Sequence, residues 1–572
     1  MAVTRMPPSR RSRRLRRLVP LLVLAAGAFA GGLVAGGRHE PAERRLAARF
    51  ASAWERGDYA AMYAMLTPEA QRAMSVTRFA RAYARAATTA TTVSVDAARP
   101  REPRDGTVTV PVDVSTRLWG DVHGDLVLPI GDADDGGPAV DWDRSLVFPG
   151  LRRGEQLSRH TRMPTRATIR ARDGTAIAKG DERLSDLDPA ASEIAGRVGP
   201  APPERADELA ARGVPRGAPV GLTGLEREFD DQLAGTPGGD LLAGVRVLAS
   251  SRPHRGESVR TTIDPDVQRA AVTALAGRYG GIAAVRPKTG EVLALSGVAF
   301  SAPQPPGSVF KIITLSGALD AGVVKRNESF PVQTAATLEG TRLENANGES
   351  CGGSLIASFA HSCNSVFAPL GAELGARRLV ATAERFGFNE DPGLAGAARS
   401  TIPDASEIGD DLAVGSTAIG QGKVLTTPLQ MALVAATIGE RGMRVRPTLR
   451  KGEVTRSTRA IPTSVARFVD RSMRAVVTGG TGVGAAIDGV AVAGKTGTAE
   501  LRSTVNEDPL PPEGEDQPPP EEDVTDTDAW FAAYAPADHP RIAVCVLLIA
   551  QGAGGEVAAP AARQVIQAAV KG

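Results

Sequence analysis

Pro305-Pro306-Gly307-Ser308-Val309-Phe310-Lys311-Ile312-Ile313-Thr314-Leu315 is the stretch on which the reading of this sequence turns. The two prolines end whatever precedes them, and the run Ser308 to Ala321 is compatible with a helix that starts at Ser308. A lysine three residues on shares that helical face, so the Lys311 amine can reach the serine hydroxyl. A serine hydroxyl is a poor nucleophile until its proton is removed, and a lysine removes it only when its pKa falls from about 10.4 toward neutrality. Partial burial, a helix N-terminus and a second nearby cation all push in that direction. Alone, such a pair is an ordinary accident of composition, so its weight depends on the rest of the chain.

Two further elements lie downstream. Ser362-Cys363-Asn364 comes after a helical stretch from Leu355 to His361. A hydroxyl and an amide two apart suit a short turn in which Ser362 relays protons and Asn364 hydrogen-bonds a substrate amide, although an isolated Asn there is more often a cap or turn residue. Gly494-Lys495-Thr496-Gly497-Thr498 comes after an alternation at Val490, Val492 and Ala493 that predicts a strand. A strand with a cation, two hydroxyls and a glycine can grip a carboxylate and offer a backbone N–H to an oxyanion. A second copy, Lys288-Thr289-Gly290, lies upstream of the serine in a predicted hairpin turn and reads as structural, with Gly290 supplying positive φ.

The ordered triple, S-x-x-K on a helix, S-x-N on a turn and K-T-G on a later strand, resembles the penicillin-recognising serine acyltransferases. The segments Arg166 to Gly174 and Gly224 to Gly238 look like the pedestal of class B penicillin-binding proteins. Thr262 to Gln268, Gly420-Gln-Gly422 with Thr427 to Ala432, Gly480-Thr-Gly482 and Ala558-Ala-Pro560 are similar to segments of that family's transpeptidase domain. The resemblance implies cross-linking of peptidoglycan by acyl transfer on D-Ala-D-Ala stem peptides, with β-lactams as inhibitors. It implies Ser308 as nucleophile, Lys311 as base, and Ser362 and Lys495 as the rest of the proton network. The backbone N–H groups of Ser308 and Thr498 would hold the oxyanion. Thr496 and Thr498 would hold the carboxylate beside Gly497, and Asn364 the acyl-side amide. It also implies a partner, a membrane glycan polymerase of the shape, elongation, division and sporulation type. Only about 11 residues separate Ser296 from Ser308, shorter than the family leads one to expect. The rival activities sharing this chemistry are a membrane-tethered β-lactamase and a β-lactam sensor; transfer to water in place of an amine would make a D,D-carboxypeptidase.

Around this centre the 572 residues suggest about three domains. A 42% hydrophobic, 23% charged composition is that of a globular chain, not a polytopic membrane protein. The first 17 residues carry seven arginines and no acid, while the net charge is only +2, so nucleic acid is excluded as the main partner. Leu18 to Gly37 is uncharged and long enough to span a bilayer, which predicts a single-pass anchor with an extracytoplasmic catalytic domain, and the resemblance implies that the membrane is a bacterial cell membrane. Leu18 to Gly27 followed by Ala28-Phe29-Ala30 also reads as a cleavable signal.

The predicted domains are a basic cytoplasmic tail (1–17), the anchor (18–37), a small α+β domain (41–151), a pedestal or dimerisation-type domain (152–256) and a penicillin-binding transpeptidase domain (257–572). The last is expected as an α/β domain, an antiparallel sheet flanked by helices. In the small domain Leu46, Phe50 and Trp54, then Tyr59, Met62, Tyr63 and Leu66, recur at helical spacing and predict two short helices. Val108 to Val114 and Leu126 to Ile130 alternate as half-buried strands do. Together with Val140 to Pro149 this pattern resembles the cone-shaped N-terminal extension of low-affinity penicillin-binding proteins.

In an oxidising compartment Cys351 and Cys363 favour a disulfide over two buried thiols, and Cys545 reads as a strand-core residue. Neither metal nor organic cofactor is called for by any motif. Ser503 to Asp528, with ten acids and no base, predicts a solvated loop.

Overall fold

The computed structural model describes residues 40–500 and 527–571, which fold as two compact units. The predicted tail and anchor (1–17 and 18–37) and nearly all of the acidic loop lie outside the described residues. Among the described residues no helix is long and apolar enough to cross a membrane.

The first unit comprises 40–162 with 206–215 and 237–252. Four helices, α1 (Ala42–Glu55), α2 (Tyr59–Ala64), α3 (Pro68–Ala73) and α4 (Val76–Ala90), precede the antiparallel sheet β1 (Thr92–Ala97), β2 (Thr107–Thr116), β3 (Gly120–Asp132), β4 (Pro138–Val140). Two of these helices were not expected, yet their start signals are local: Thr67 caps the Ala70 N–H ahead of Pro68, and Ser75 caps Arg78. Along β2 the predicted alternation holds, with Val108, Val110, Val112 and Val114 buried against Leu46, Phe50 and Phe79. Trp142 donates to the Tyr83 hydroxyl (3.1 Å), which donates to the Leu146 carbonyl (3.2 Å), tying the 140–149 segment to α4. Three strands, Leu157–Arg162, Gly238–Ala243 and Arg246–Ser251, complete this unit. The Trp119 indole N–H reaches the Gly239 carbonyl at 2.8 Å.

The second unit comprises 163–205, 216–236 and 253–571. The stretch 152–256 is thus divided between the two units. Its centre is a wholly antiparallel sheet of five strands, β5 (Gly280–Val285), β6 (Val292–Gly297), β7 (Ala493–Glu500), β8 (Thr527–Ala535) and β9 (Ile542–Leu548), in the order β6-β5-β9-β8-β7. Side-chain parity sorts the two faces. Ile282, Ala284, Val544 and Val546 pack with α5 (Pro265–Leu275) and the C-terminal helix Ala559–Lys571, whereas Ala283, Val285, Cys545 and Leu547 face the other helices. Those include α6 (Lys311–Asp320), α7 (Leu355–Ala360), α8 (Asn364–Leu374), α9 (Pro428–Gly439) and α10 (Thr463–Gly479). α6 is buried from Lys311 to Ala318, as its lack of a polar face requires. Lys288-Thr289-Gly290 is indeed the β5–β6 turn, with Gly290 at φ 73°.

The predicted loop ends earlier than the sequence suggested, because Thr527 and Asp528 belong to β8 and Asp528 is fully buried. Its Oδ1 accepts the Ala550 N–H, and burial pushes its pKa up.

The segments 163–205 and 216–236 have no separate core: Ile169, Ile177, Leu187, Leu225, Phe229 and Leu233 join the cluster that holds Ala283, Phe310 and Leu295. A buried ion network lies among them. Arg166 pairs with Glu226 (2.6 Å) and Asp230 (2.9 Å), Arg183 with Glu226 (2.5 Å), and Arg205 with Asp230 (3.0 Å).

Candidate active site

Ser308 does not open an α-helix. Gly307–Phe310 is a single 3-10 turn, and the α-helix begins at Lys311. Pro305 and Pro306 deny the first turn its preceding N–H groups, and Gly307 sits at φ 53°, where a side chain is strained. A Cβ on Gly307 would lie 2.6 Å from the Thr498 carbonyl oxygen, and one on Gly497 would lie 2.9 Å from the Pro306 carbonyl. These two glycines let the serine turn and β7 meet backbone to backbone. The Gly307 N–H bonds the Gly420 carbonyl (3.0 Å), fixing the turn from its other side. Ser308 itself is half-buried between buried neighbours, and its N–H lies in the first turn, where no carbonyl of that turn precedes it.

Lys311 is wholly buried. Its Nζ donates to the Ser362 carbonyl (2.6 Å), the Asn364 Oδ1 (2.6 Å) and the Ser362 hydroxyl (3.3 Å). Its hydrogen bonds therefore run to the Ser362–Asn364 turn and not to Ser308 as the spacing alone suggested; a carbonyl and an amide oxygen are the stronger acceptors. Burial, with the Lys495 charge adding to it, holds the Lys311 pKa well below the ordinary lysine value. Ser362 occupies the left-handed region at φ 61°, between the end of α7 and the start of α8. Asn364 is committed at both ends, because its amide nitrogen donates to the Glu344 carbonyl (2.7 Å).

Lys495, on β7 at the sheet edge, is also fully buried; desolvation lowers its pKa to about 7. Its Nζ donates to the Thr496 carbonyl (2.9 Å) and lies 5.6 Å from the Phe359 ring centre, while that of Lys311 lies 5.7 Å from Phe367. Gly497 is buried, Thr496 nearly so, and Thr498 half-buried. The Thr496 hydroxyl shares a 2.5 Å hydrogen bond with Thr481, whose N–H bonds the Ala360 carbonyl at the end of α7.

Thr481, Phe359 and Phe367 are site residues that sequence reasoning does not single out. Thr481 sits in the Gly480-Thr-Gly482 segment, which is the available signal, whereas buried rings give none. Cys351 and Cys363 are joined, with Cα atoms 5.4 Å apart, and Cys545 is a buried free thiol in β9. Among the described residues no cluster of His, Cys, Asp and Glu has a metal-holding arrangement.

A turn-borne serine, two buried lysines and a threonine-bearing edge strand converging in this way define a serine acyl-transfer class of site. The sequence comparisons agree. Residues 280–567 match the penicillin-binding protein transpeptidase domain, 42–155 the NTF2-like N-terminal transpeptidase domain, and 155–259 the penicillin-binding protein dimerisation domain. The chain belongs to the penicillin-binding protein transpeptidase family, with the three-part architecture of its class B members.

Among its relatives, the peptidoglycan D,D-transpeptidase PbpA of Mycolicibacterium smegmatis is 33% identical over 414 residues, 61% of this chain and 80% of that one. The peptidoglycan D,D-transpeptidase MrdA of Acinetobacter baumannii is 26% identical, over 57% of each. Among solved structures, the penicillin G acyl-enzyme complex of Mycobacterium tuberculosis penicillin-binding protein A is similar at a TM-score of 0.56 and 28% identity, over 71% of this chain and 99% of that one.

Proposed function

We infer that the protein is a serine-type peptidoglycan D,D-transpeptidase that acts on D-Ala-D-Ala stem peptides and is acylated by β-lactams. The observation that carries this reading is the burial of two lysines beside a half-buried, turn-borne serine, within a chain of this family.

In the reading we propose, Ser308 Oγ attacks the carbonyl carbon of the penultimate D-Ala. Lys311, whose pKa burial and the Lys495 charge hold well below the ordinary lysine value, takes the hydroxyl proton in its neutral form. With two of its N–H groups held by the Ser362 carbonyl and Asn364, its lone pair is left for a hydroxyl, and the Ser362 hydroxyl at 3.3 Å continues the path. The Ser308 and Thr498 N–H groups stabilise the oxyanion, a contribution worth about 10² to 10³ in rate per donor. The C–N bond breaks, and the departing D-Ala amine collects a proton through Ser362 and Lys495. An amine of a second stem peptide then attacks the ester carbonyl: the new amide C–N bond forms, the C–O bond to Ser308 breaks, and a proton lost by the amine returns to Ser308 Oγ by way of Lys311. Thr496 and Thr498 bind the terminal carboxylate, and Asn364 the acyl-side amide by exchanging its Glu344 contact.

The same reading keeps a membrane anchor at 18–37, an extracytoplasmic catalytic domain from about 257, and the domains 41–151 and 152–256 ahead of it. It also keeps a membrane glycan polymerase as partner, since among the three matched domains none is a glycan polymerase.

Intact-mass spectrometry with excess benzylpenicillin tests the assignment. A stoichiometric, long-lived adduct on the wild type and none on Ser308→Ala is expected. An adduct that survives Ser308→Ala, or rapid turnover of the drug, would overturn it.

A further inference from the structure

Helix α8 begins at Asn364, and its N-cap residue is Cys363, whose sulfur is bonded to Cys351 and makes no cap. A helix left without a cap has unpaired N–H groups in its first turn, and a missing cap costs definition as well as stability. Here the cap comes from another segment. Asn345, 5% exposed, places its Oδ1 2.8 Å from the Ser365 N–H, the second helical position, where an N-cap oxygen normally binds. Its amide nitrogen is equally committed, to the Gln333 carbonyl (2.8 Å) and the Glu349 carbonyl (2.9 Å). Every hydrogen-bonding group of this side chain thus either closes the 333–349 loop or clamps that loop to α8.

The neighbouring contacts repeat the pattern. The Asn364 amide nitrogen bonds the Glu344 carbonyl, and the Ser365 hydroxyl bonds the Cys351 carbonyl (3.4 Å). The loop's apolar anchors are few, with Ala336 buried and Leu338 and Leu343 half-buried against the core, while the rest of strands Ala335–Leu338 and Thr341–Glu344 is exposed or half-buried. Lys311 depends on this arrangement, because two of its acceptors, the Ser362 carbonyl and Asn364 Oδ1, are at the entrance of α8.

We propose that Asn345 is a positioning residue for acyl transfer, an N-cap supplied in trans that holds the Ser362–Asn364 turn in register with Lys311. It touches neither the substrate nor the reacting atoms. The inference rests on Ser308 and Lys311 acting as proposed above. Wild-type acylation by benzylpenicillin, measured in parallel, tests that reading separately.

The experiment compares Asn345→Ala and Asn345→Asp in the full-length chain. Asp keeps an oxygen for the Ser365 N–H and loses the two donors, so it separates capping from loop closure. Asn345→Ala should lower the acylation rate constant at least tenfold, with the drug's pre-covalent affinity changed less than threefold. It should also move the acid limb of the pH–rate profile to lower pH, because Lys311 loses acceptors that favour its charged form. Asn345→Asp should stay within threefold of wild type in rate. A wild-type rate and limb in Asn345→Ala would overturn the proposal, as would an Asp variant as impaired as the Ala one. If Asn345→Ala does not fold, hydrogen exchange on the wild type decides: a slow Ser365 amide is expected, and exchange as fast as in an exposed loop would overturn the proposal.

Discussion

Lys311 Nζ lies 2.6 Å from Asn364 Oδ1, a contact that joins the first residue of one buried helix to the first residue of another. The S-x-x-K and S-x-N motifs are therefore one hydrogen-bonded unit before any substrate arrives. The lysine spends its hydrogen bonds on that union, and its basicity is set by burial and by Lys495.

Acylation should follow the deprotonation of a displaced lysine. With the Lys311 pKa held well below 10.5, its neutral form, the competent base, is present well before an ordinary lysine would deprotonate. The benzylpenicillin acylation rate should rise with pH through that depressed value and level off. A limb centred at the ordinary lysine value of about 10.4 would contradict the assignment of Lys311 as base.

Lys495→Met should stabilise the fold while abolishing acylation. The Lys495 pKa falls from 10.5 to about 7 on folding, so between those values the unfolded chain holds more protons and wild-type stability climbs with pH. Below pH 7 both states are protonated and the penalty applies in full. The variant should gain up to about 4 kcal/mol at pH 6 and much less at pH 10. Urea unfolding of both proteins at the two pH values measures this, and an equal gain at both would refute it.

Removing the disulfide by the double change Cys351→Ala, Cys363→Ala should cost about 2–4 kcal/mol and slow acylation. The bond holds strand Cys351–Ser354 to the residue between Ser362 and Asn364. Unchanged melting temperature and unchanged acylation together would show that it positions nothing.

Glu226→Gln should destabilise the second unit by about 3–5 kcal/mol, since it removes one charge from a buried network and leaves Arg166 and Arg183 without their shared carboxylate. The expected readout is a lower urea midpoint with acylation by the remaining folded protein intact. A shift below about 1 kcal/mol would mean that the arginines re-pair with Asp230.

The chemistry of this chain is written in short local patterns, and those are legible: the three motifs, the strand at β7 and the turn at Gly290 follow from residue type and spacing. The illegible part depends on tertiary partners. Nothing local says that Ser308 lies in a 3-10 turn, because that follows from backbone packing of Gly307 against Thr498 and Gly420. Thr481 and Asn345 act across long sequence separations, and an asparagine within a loop looks the same whether or not it caps a distant helix. The helices α3 and α4 are on the legible side, although the expectation of two helices leaves them out: their cap signals at Thr67 and Ser75 are plain, and in α4 Phe79, Tyr83, Ala86 and Ala90 recur at helical spacing, whereas α3 is only six residues long.

Because the segments 163–205 and 216–236 bury their apolar residues in the same core as the sheet and α6, the boundary near residue 257 marks no independent folding body. A truncation starting there would uncover Ile263 and strip partners from Leu295 and Phe310. For genetic exchange between relatives, neither 163 nor 257 is a clean cut, because strands Gly238–Ala243 and Arg246–Ser251 belong to the first unit while 163–205 and 216–236 belong to the second.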